Sequence, residues 1–250
     1  MIIEDYIRNP YGKGISLMSS DIRTSLDNIY ESLKDGIELK WYKVSNQYMI
    51  AHVKVPSRSV KTLKYDVVIE FDLSTLEEGR NTINRAKAKV FSNCPSFTYT
   101  FAYAFNTKGE LCEWARSKYD PEVLSREPKQ RNPYLLTGYE RSLYLSIKHI
   151  LSGRNHIKLI DLIAVKINNF NYILSSIKSQ TEIERLYKDG KEKQREDEKN
   201  KHTEKQSPKS IQHKAKYHRP GVTKTATTAK TTKNTDKTPV TSKTMKTKKI

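Results

Sequence analysis

The segment Lys64-Tyr65-Asp66-Val67-Val68-Ile69-Glu70-Phe71-Asp72-Leu73 identifies the fold class of this chain. From Tyr65 onward every second residue is apolar or aromatic, and three acidic side chains share the opposite set of positions. Successive side chains of a β-strand point to opposite faces of a sheet. The segment therefore predicts a strand with one buried face and one acidic face that is exposed to water.

The same two-residue period occurs in the flanking segments, residues 37–43, 47–55 and 85–91. Segments of this kind pair as antiparallel strands with one wet face. Helical spacing of apolar residues takes over at both ends, over 21–35 and again over 139–151, 160–177 and from Thr181. The sequence therefore predicts an α+β fold, with a mostly antiparallel sheet, an N-terminal helix and a helical C-terminal part.

Residues 97–105 allow two interpretations. Phenylalanine and tyrosine alternate there with threonine and alanine, which as a strand puts five aromatic rings on one face. As a helix opened by Pro95, Phe97, Phe101 and Phe105 form one stripe and the tyrosines point elsewhere. The β-propensity of threonine and aromatic residues favours the strand. The rings are expected to be core, and stacking on nucleobases is the alternative.

The sequence is expected to divide into three regions, of which the last is distinguished by its charge. We expect an irregular arm over residues 1–20, a folded domain over 21–190 and an intrinsically disordered tail over 191–250. Residues 201–250 hold fourteen of the 46 Lys and Arg residues but only two of the 28 acidic ones. This segment cannot bury enough apolar surface to offset its ordering entropy. No signal peptide or membrane span is expected.

A polycation of this kind binds nucleic acid through its phosphates, by releasing condensed counterions. A solubilising arm without a specific partner is the alternative. The expected DNA-binding residues are the cations of the tail: Lys214, Lys216, Arg219, Lys224, Lys230, Lys233, Lys237, Lys243, Lys246, Lys248 and Lys249.

No catalytic residue, metal ligand or cofactor is expected. Asp66, Glu70 and Asp72 suit a Mg²⁺-dependent nuclease by residue type, but alternating acids usually mark a solvated strand face. The six histidines do not pair with each other or with cysteine at zinc spacing. Cys94 and Cys112 fit a reducing compartment, and their spacing does not decide whether they interact.

Four short segments between residues 65 and 150 resemble uncharacterised virion structural proteins of tailed bacteriophages. They are residues 66–71 (DVVIEF), 90–101 (VFSNCPSFTYTF), 129–133 (KQRNP) and 139–144 (YERSLY). The resemblance implies an assembly component without enzymatic activity, and it carries over no functional residue. The Lys/Thr-rich tail lies outside it.

The leading hypothesis is a non-enzymatic structural or assembly protein of a tailed-phage virion. Its folded domain would dock on other virion proteins, with an oligomer as one option, while the basic tail contacts DNA without sequence preference. Its locations would be the virion and, during assembly, the host cytoplasm. One alternative is a nonspecific nucleic-acid-binding protein outside any particle, and another is a Mg²⁺-dependent nuclease.

Overall fold

A computed structural model describes residues 1–8, 19–76, 82–138, 140–152, 157–158 and 162–205. The chain divides into two units, Met1–Gln206 and Ser207–Ile250. The second unit lies outside the described residues. The eleven lysines and arginines expected to bind DNA all belong to it, so their predicted role and the predicted disorder there remain predictions.

The described residues form seven α-helices and five strands. In chain order these are α1 Ile3–Arg8, α2 Ser19–Leu33, β1 Glu38–Val44, β2 Tyr48–Pro56, β3 Lys64–Asp72, β4 Lys87–Ser92, α3 Ala102–Thr107, α4 Pro121–Ser125, α5 Arg141–Leu151, β5 Val165–Ile167, α6 Asn171–Ser176 and α7 Gln180–Lys205. A π-helical turn, Phe97–Phe101, leads into α3.

The sheet has the strand order β4-β3-β2-β1-β5. Pairing is antiparallel from β4 through β1, and β5 adds to β1 in parallel. In the centre of the sheet, Val67 and Ile69 of β3 lie opposite Val53 and Ala51 of β2. The predicted α+β class and the mostly antiparallel sheet are therefore confirmed.

Helices and loops cover β3 on both faces. Ser92 of β4 hydrogen-bonds with Ser142 of α5 across 2.9 Å, which places α5 on the face that Val67 and Ile69 share. On the opposite face, Asp66 accepts a hydrogen bond from the Lys178 backbone N–H at 3.2 Å. Every residue of β3 between its two ends is buried. The predicted wet face of this strand is wrong, because chain from the C-terminal part packs over it.

The aromatic segment is helical, so the strand interpretation is wrong. The Thr98 N–H donates to the Cys94 carbonyl at 2.9 Å, which closes the first helical turn next to Pro95. Phe97 and Phe105 are fully buried, and their ring centroids lie 5.3 Å apart. The expectation that these aromatics belong to the core holds for the two phenylalanines, whereas Tyr99 is 39% exposed.

Several predicted boundaries also shift. The arm predicted as irregular contains α1, and the Met1 N-terminus lies 3.1 Å from the Glu110 carboxylate. The single helix predicted over 160–177 is wrong, because this segment contains β5 and α6. The folded domain does not end at Gly190, since α7 continues to Lys205.

Gly190 lies inside α7 because that helix packs closely against the β2–β3 connection. A Cβ atom at position 190 would lie 2.4 Å from Val60 Cγ1, and Val60 is buried. Gly190, which was predicted to end the folded domain, therefore allows α7 to pack closely against Val60. Within the described residues, no helix combines the length and apolar character that crossing a bilayer requires.

Candidate functional site

The acidic side chains proposed as metal ligands are held by partners within the protein. Asp66 is buried, and its Oδ1 lies 3.0 Å from His52 Nε2. Its Oδ2 accepts from Asn93 Nδ2 at 3.0 Å and from the Lys178 N–H at 3.2 Å. Burial alone would raise the pKa of Asp66, but the hydrogen bond and charge of His52, with the Lys178 and Asn93 donors, hold it below its ordinary value.

Glu70 and Asp72 have different environments. Trp114 Nε1 donates a hydrogen bond to Glu70, and burial raises the pKa of that carboxyl group. The Asp72 carboxylate accepts from the N–H of Ser74 at 3.0 Å and so caps the turn Leu73–Thr75. Within the described residues, no group of three His, Cys, Asp or Glu side chains is placed to hold a metal ion. These three carboxylates are therefore bound by partners within the fold, and among the described residues their arrangement lends no support to the nuclease alternative.

Both cysteines are free thiols buried in the core. Burial raises the pKa of Cys94 to about 12, and it raises the pKa of Cys112 well above its ordinary value. A thiol must ionise to act as a nucleophile. Cys94 and Cys112 are not joined by a disulfide.

A cleft of about 890 Å³, here named the Tyr99 cleft, is a concave surface that suits a ligand or partner. Tyr99 and Tyr103 form one wall, since the turn Phe97–Phe101 and α3 bury phenylalanines on the other side of the same helix. The remaining lining comes from α4, the loop 126–131 and Gln180 at the start of α7. The helical conformation of residues 97–105, which the sequence offered as an alternative, therefore explains why Tyr99 and Tyr103 face the cleft.

Hydrogen bonds fix the position of Tyr99. Its hydroxyl donates to the Glu184 carboxylate and accepts from Gln180 Nε2 at 2.8 Å. Burial and the Glu184 hydrogen bond raise the pKa of Tyr99, so the phenol stays protonated. The Arg131 guanidinium carbon lies 5.9 Å from the centroid of the Tyr99 ring, within the range of a cation–π contact.

The buried side chain of Asn132 holds the loop that borders the cleft through three hydrogen bonds. Asn132 Nδ2 donates to the carbonyls of Thr100 and Leu136 at 3.1 and 2.7 Å, and Asn132 Oδ1 accepts from the Leu136 N–H at 2.8 Å. Beyond Asn132 the side chain of Tyr134 is 81% exposed. An ordered loop thus presents a large aromatic side chain to solvent.

The charge of the cleft is mixed. Arg126, Lys129 and Arg131 line it together with Asp120, Glu122 and Glu127, and all six side chains are exposed. Thr98 Oγ1 is buried in the lining without a hydrogen-bond partner among the described residues. Tyrosine and arginine are enriched in protein–protein interfaces, and charges of both signs at a rim give orientation and specificity. This composition suits a protein partner better than a polyanion.

Sequence reasoning did not identify the Tyr99 cleft. Its signal was present in the helical alternative for residues 97–105, which separates tyrosines from phenylalanines. The hydrogen bonds by which Asn132 holds the loop could not be predicted from the sequence, because its partner Thr100 lies 32 residues away.

Comparisons with known proteins give no relative for this chain: no model of a protein family matches it, and neither curated proteins nor solved structures show a significant match.

Proposed function

We propose that this protein is a non-enzymatic structural or assembly component of a tailed-phage virion. In this proposal the folded domain, Met1–Gln206, docks on other virion proteins, and the cationic C-terminal segment contacts packaged or entering DNA. The observation that carries the proposal is the separation of charge. Residues 201–250 hold a net charge of +12 out of +18, whereas the long remainder of the chain holds only +6.

Partners within the protein bind the buried acidic side chains of the folded domain. Asp66 is bound by His52 and Asn93, and Glu70 is bound by Trp114. A domain built in this way supplies a fixed body to which a DNA-binding segment is attached. Phosphate contacts by such a segment are independent of base sequence, which suits a protein that meets whatever DNA a particle contains.

The segments that resemble phage virion proteins contact one another. The side chain of Asn93 binds Asp66, the side chain of Ser92 binds Ser142, and Asn132 binds the Thr100 carbonyl. Each of the four segments therefore makes at least one contact with another of them.

The Tyr99 cleft is the proposed docking surface for another virion protein. Its tyrosines and arginines are residue types that dominate interface energetics when they become desolvated. The exposed Tyr134 lies on the same loop, two residues beyond the buried Asn132 that holds it. The occupant is a protein segment with charges of both signs, because the lining offers three cations and three carboxylates.

Mass spectrometry of purified particles tests the proposal. A structural component should be present in CsCl-purified virions at a fixed copy number relative to the major capsid protein. The same charge separation also suits a nonspecific nucleic-acid-binding protein outside any particle. Abundance in infected cells together with depletion from purified virions would favour that alternative and overturn the virion assignment.

A charge reversal at the cleft tests the docking surface. Arg131→Glu should lower the copy number in particles, because it removes the cation over Tyr99 and alters the charge balance of the rim. Arg58→Glu is the matched control, since Arg58 is exposed in the connection between β2 and β3 and does not line the cleft. Equal incorporation of both variants would place the docking surface elsewhere.

A further inference from the structure

A cleft of about 360 Å³, here named the Arg141 cleft, is lined by α7, the β2–β3 connection and the first residue of α5, among other parts of the chain. Its volume falls within the range of roughly 300–1,000 Å³ that small-molecule sites occupy. The lining mixes hydroxyl groups, two cations, one carboxylate and apolar surface. The lining residues are Ser59, Tyr65, Cys94, Pro95, Ser96, Arg141, Glu184, Tyr187 and Lys188.

Close packing and hydrogen bonds fix the position of α7. Gly190 allows this helix to pack closely on the β2–β3 connection, since a Cβ atom there would lie 2.4 Å from Val60 Cγ1. Near the start of the helix, Gln180 Nε2 donates to the Tyr99 hydroxyl at 2.8 Å and to the Glu184 carboxylate at 3.0 Å. The walls of the cleft are therefore in place before a ligand arrives, which lowers the entropic cost of binding.

The cleft collects donor groups that the described residues leave unused. Arg141 is partly buried, yet its guanidinium forms neither a hydrogen bond nor an ion pair with another described residue. The side chains of Ser96, Tyr187 and Lys188 also lack such partners within this part of the chain. Elsewhere in the fold several cations pair with carboxylates, namely Lys34, Lys64, Arg85, Lys89 and Lys148. A partly buried charge without a partner costs free energy, so the cleft favours a negatively charged ligand.

Glu140 and Glu184, the acidic neighbours of Arg141 in the chain and in the cleft, have other partners. Glu184 accepts hydrogen bonds from the Tyr99 hydroxyl and from Gln180 Nε2. The Glu140 carboxylate caps the N-terminus of α5 and does not line the cleft. Among the described residues, neither carboxylate forms an ion pair with Arg141. The guanidinium therefore remains available to a ligand.

The position of Arg141 in α5 also favours a binding role. Arg141 is the first residue of this helix, which has 11 residues. The N-terminal end of a helix carries a partial positive charge, so a cation there is unfavourable for helix stability. A bound anion reverses this, because it interacts favourably with the guanidinium and with the helix dipole. An anionic ligand thus accounts for the charge of Arg141 better than the helix that it begins.

We propose that the Arg141 cleft binds a small phosphomonoester, with the phosphate group on Arg141 and Lys188 and the organic part against Tyr187. A guanidinium binds two oxygens of a phosphate at once, and the Ser96 hydroxyl supplies a further donor. A phosphomonoester carries a charge of about −1.5 to −2 near neutral pH and so matches two cations. A carboxylate or a phosphodiester of DNA carries a single charge, which makes both poorer ligands. Such a site does not depend on the proposed virion function.

Thermal unfolding of the full chain with phenyl phosphate tests the site. A ligand that binds only the folded state raises Tm along a saturable curve, whereas general effects of salt on stability do not saturate. Anions bound by the unit Ser207–Ile250 do not stabilise Met1–Gln206, so the Tm of the larger unit reports on sites within it. At constant ionic strength, Tm should rise by about 5 °C or more at roughly a hundredfold excess of ligand over Kd.

Substitutions in the cleft identify where the anion binds. Arg141→Gln should raise Kd about 10- to 100-fold, because a charge-assisted hydrogen-bonded contact is lost. Lys188→Gln should have a smaller effect because its side chain is exposed, and it is the second variant if Arg141→Gln does not fold. Arg185→Gln is the matched control, since Arg185 is exposed on the same helix and does not line the cleft. Wild-type affinity in the cleft variants, or an equal loss in the control, would overturn the site.

Three further ligands test the chemical class. Inorganic phosphate should bind more weakly than phenyl phosphate because it lacks a ring to pack against Tyr187, and the opposite order would overturn the role of the organic part. Benzoate and dimethyl phosphate, which are monoanions, should bind more weakly still. A larger Tm shift with benzoate would assign the cleft to carboxylates, and a larger shift with dimethyl phosphate would assign it to the DNA backbone. Either result overturns the phosphomonoester, and the absence of a saturable shift with phenyl phosphate overturns the binding site.

Discussion

Asn93 binds both the backbone and the side chain of Asp66. Asn93 Oδ1 accepts from the Asp66 N–H at 2.8 Å, and Asn93 Nδ2 donates to Asp66 Oδ2 at 3.0 Å. The two residues are 27 positions apart, so this contact ties the N-terminal part of β3 to the segment that follows β4. With His52 on the other carboxylate oxygen, Asp66 is a buried charge whose hydrogen bonds are satisfied.

Removal of this carboxylate should destabilise the protein strongly. Asp66→Ala should cost about 3–5 kcal/mol in the free energy of unfolding, because His52 loses its buried partner and two donors lose their acceptor. Asp72→Ala is the matched control in the same strand and should cost about 1 kcal/mol, the usual value of a cap. Urea denaturation measures both. Similar values for the two variants would mean that the buried pair adds nothing to stability.

The contribution of Asp66 should disappear in acid. Its pKa is lowered in the folded protein, so the unfolded chain takes up the proton first as the pH falls. The stabilisation is complete well above the unfolded pKa of about 3.9 and is lost as the pH falls below that value and through the folded pKa. Glu70 has the opposite sign, because its pKa is raised. The difference in unfolding free energy between the wild type and Asp66→Ala should therefore shrink as the pH falls below about 4, and a difference that stays constant down to about pH 2 would contradict the assignment.

Replacing Gly190 should destabilise the protein although it lies within a helix. Gly→Ala in an exposed helix interior normally stabilises by about 1 kcal/mol. Here the new Cβ would lie 2.4 Å from Val60 Cγ1, so α7 or the β2–β3 connection must shift. Thermal unfolding should show a lower Tm for Gly190→Ala. Val60→Ala removes the clashing atom, so Gly190→Ala introduced into that background should cost less than in the wild type, and an equal cost in both would exclude the contact.

The aromatic helix should divide into core and surface positions. Phe97→Ala should cost about 3–5 kcal/mol, since Phe97 is fully buried and stacked on Phe105. Tyr103→Ala should stay within about 1 kcal/mol of the wild type because this side chain lines the open cleft. Chemical denaturation of the two variants provides the comparison. A costly Tyr103 variant would show that the tyrosines also serve the core.

The spacing of apolar residues along the sequence was sufficient to predict several strands and one helix. Alternation identified β1, β2 and β3, and the apolar stripe of residues 21–35 identified α2. The alternation did not reveal that β2 and β3 are buried on both faces, because that burial depends on distant parts of the chain. The pattern failed at 97–105, where aromatic residues fit a strand or a helix equally well. It failed again at 165–167, which forms a strand only because the edge of β1 is available for pairing.

The environment of the acidic residues could not be predicted for a related reason. The partners of Asp66 come from His52, Asn93 and Lys178, which are 14, 27 and 112 residues away. Nothing in the alternating pattern indicates that distant chain covers this face of β3. The Tyr99 cleft likewise requires α4, the loop 126–131 and α7 to meet.

The DNA affinity of the full chain and of residues 1–206, measured across a salt series, tests whether the C-terminal segment is the part that binds DNA. Twelve Lys and Arg residues follow Gln206, and if about half of them meet phosphates, log K should fall with log salt at a slope near −5 on duplex DNA. We expect that removing Ser207–Ile250 abolishes this binding and leaves the thermal unfolding of the folded unit unchanged, with little difference between DNA sequences. Equal affinity of both proteins, with a shallow slope, would contradict it and assign DNA recognition to the folded domain.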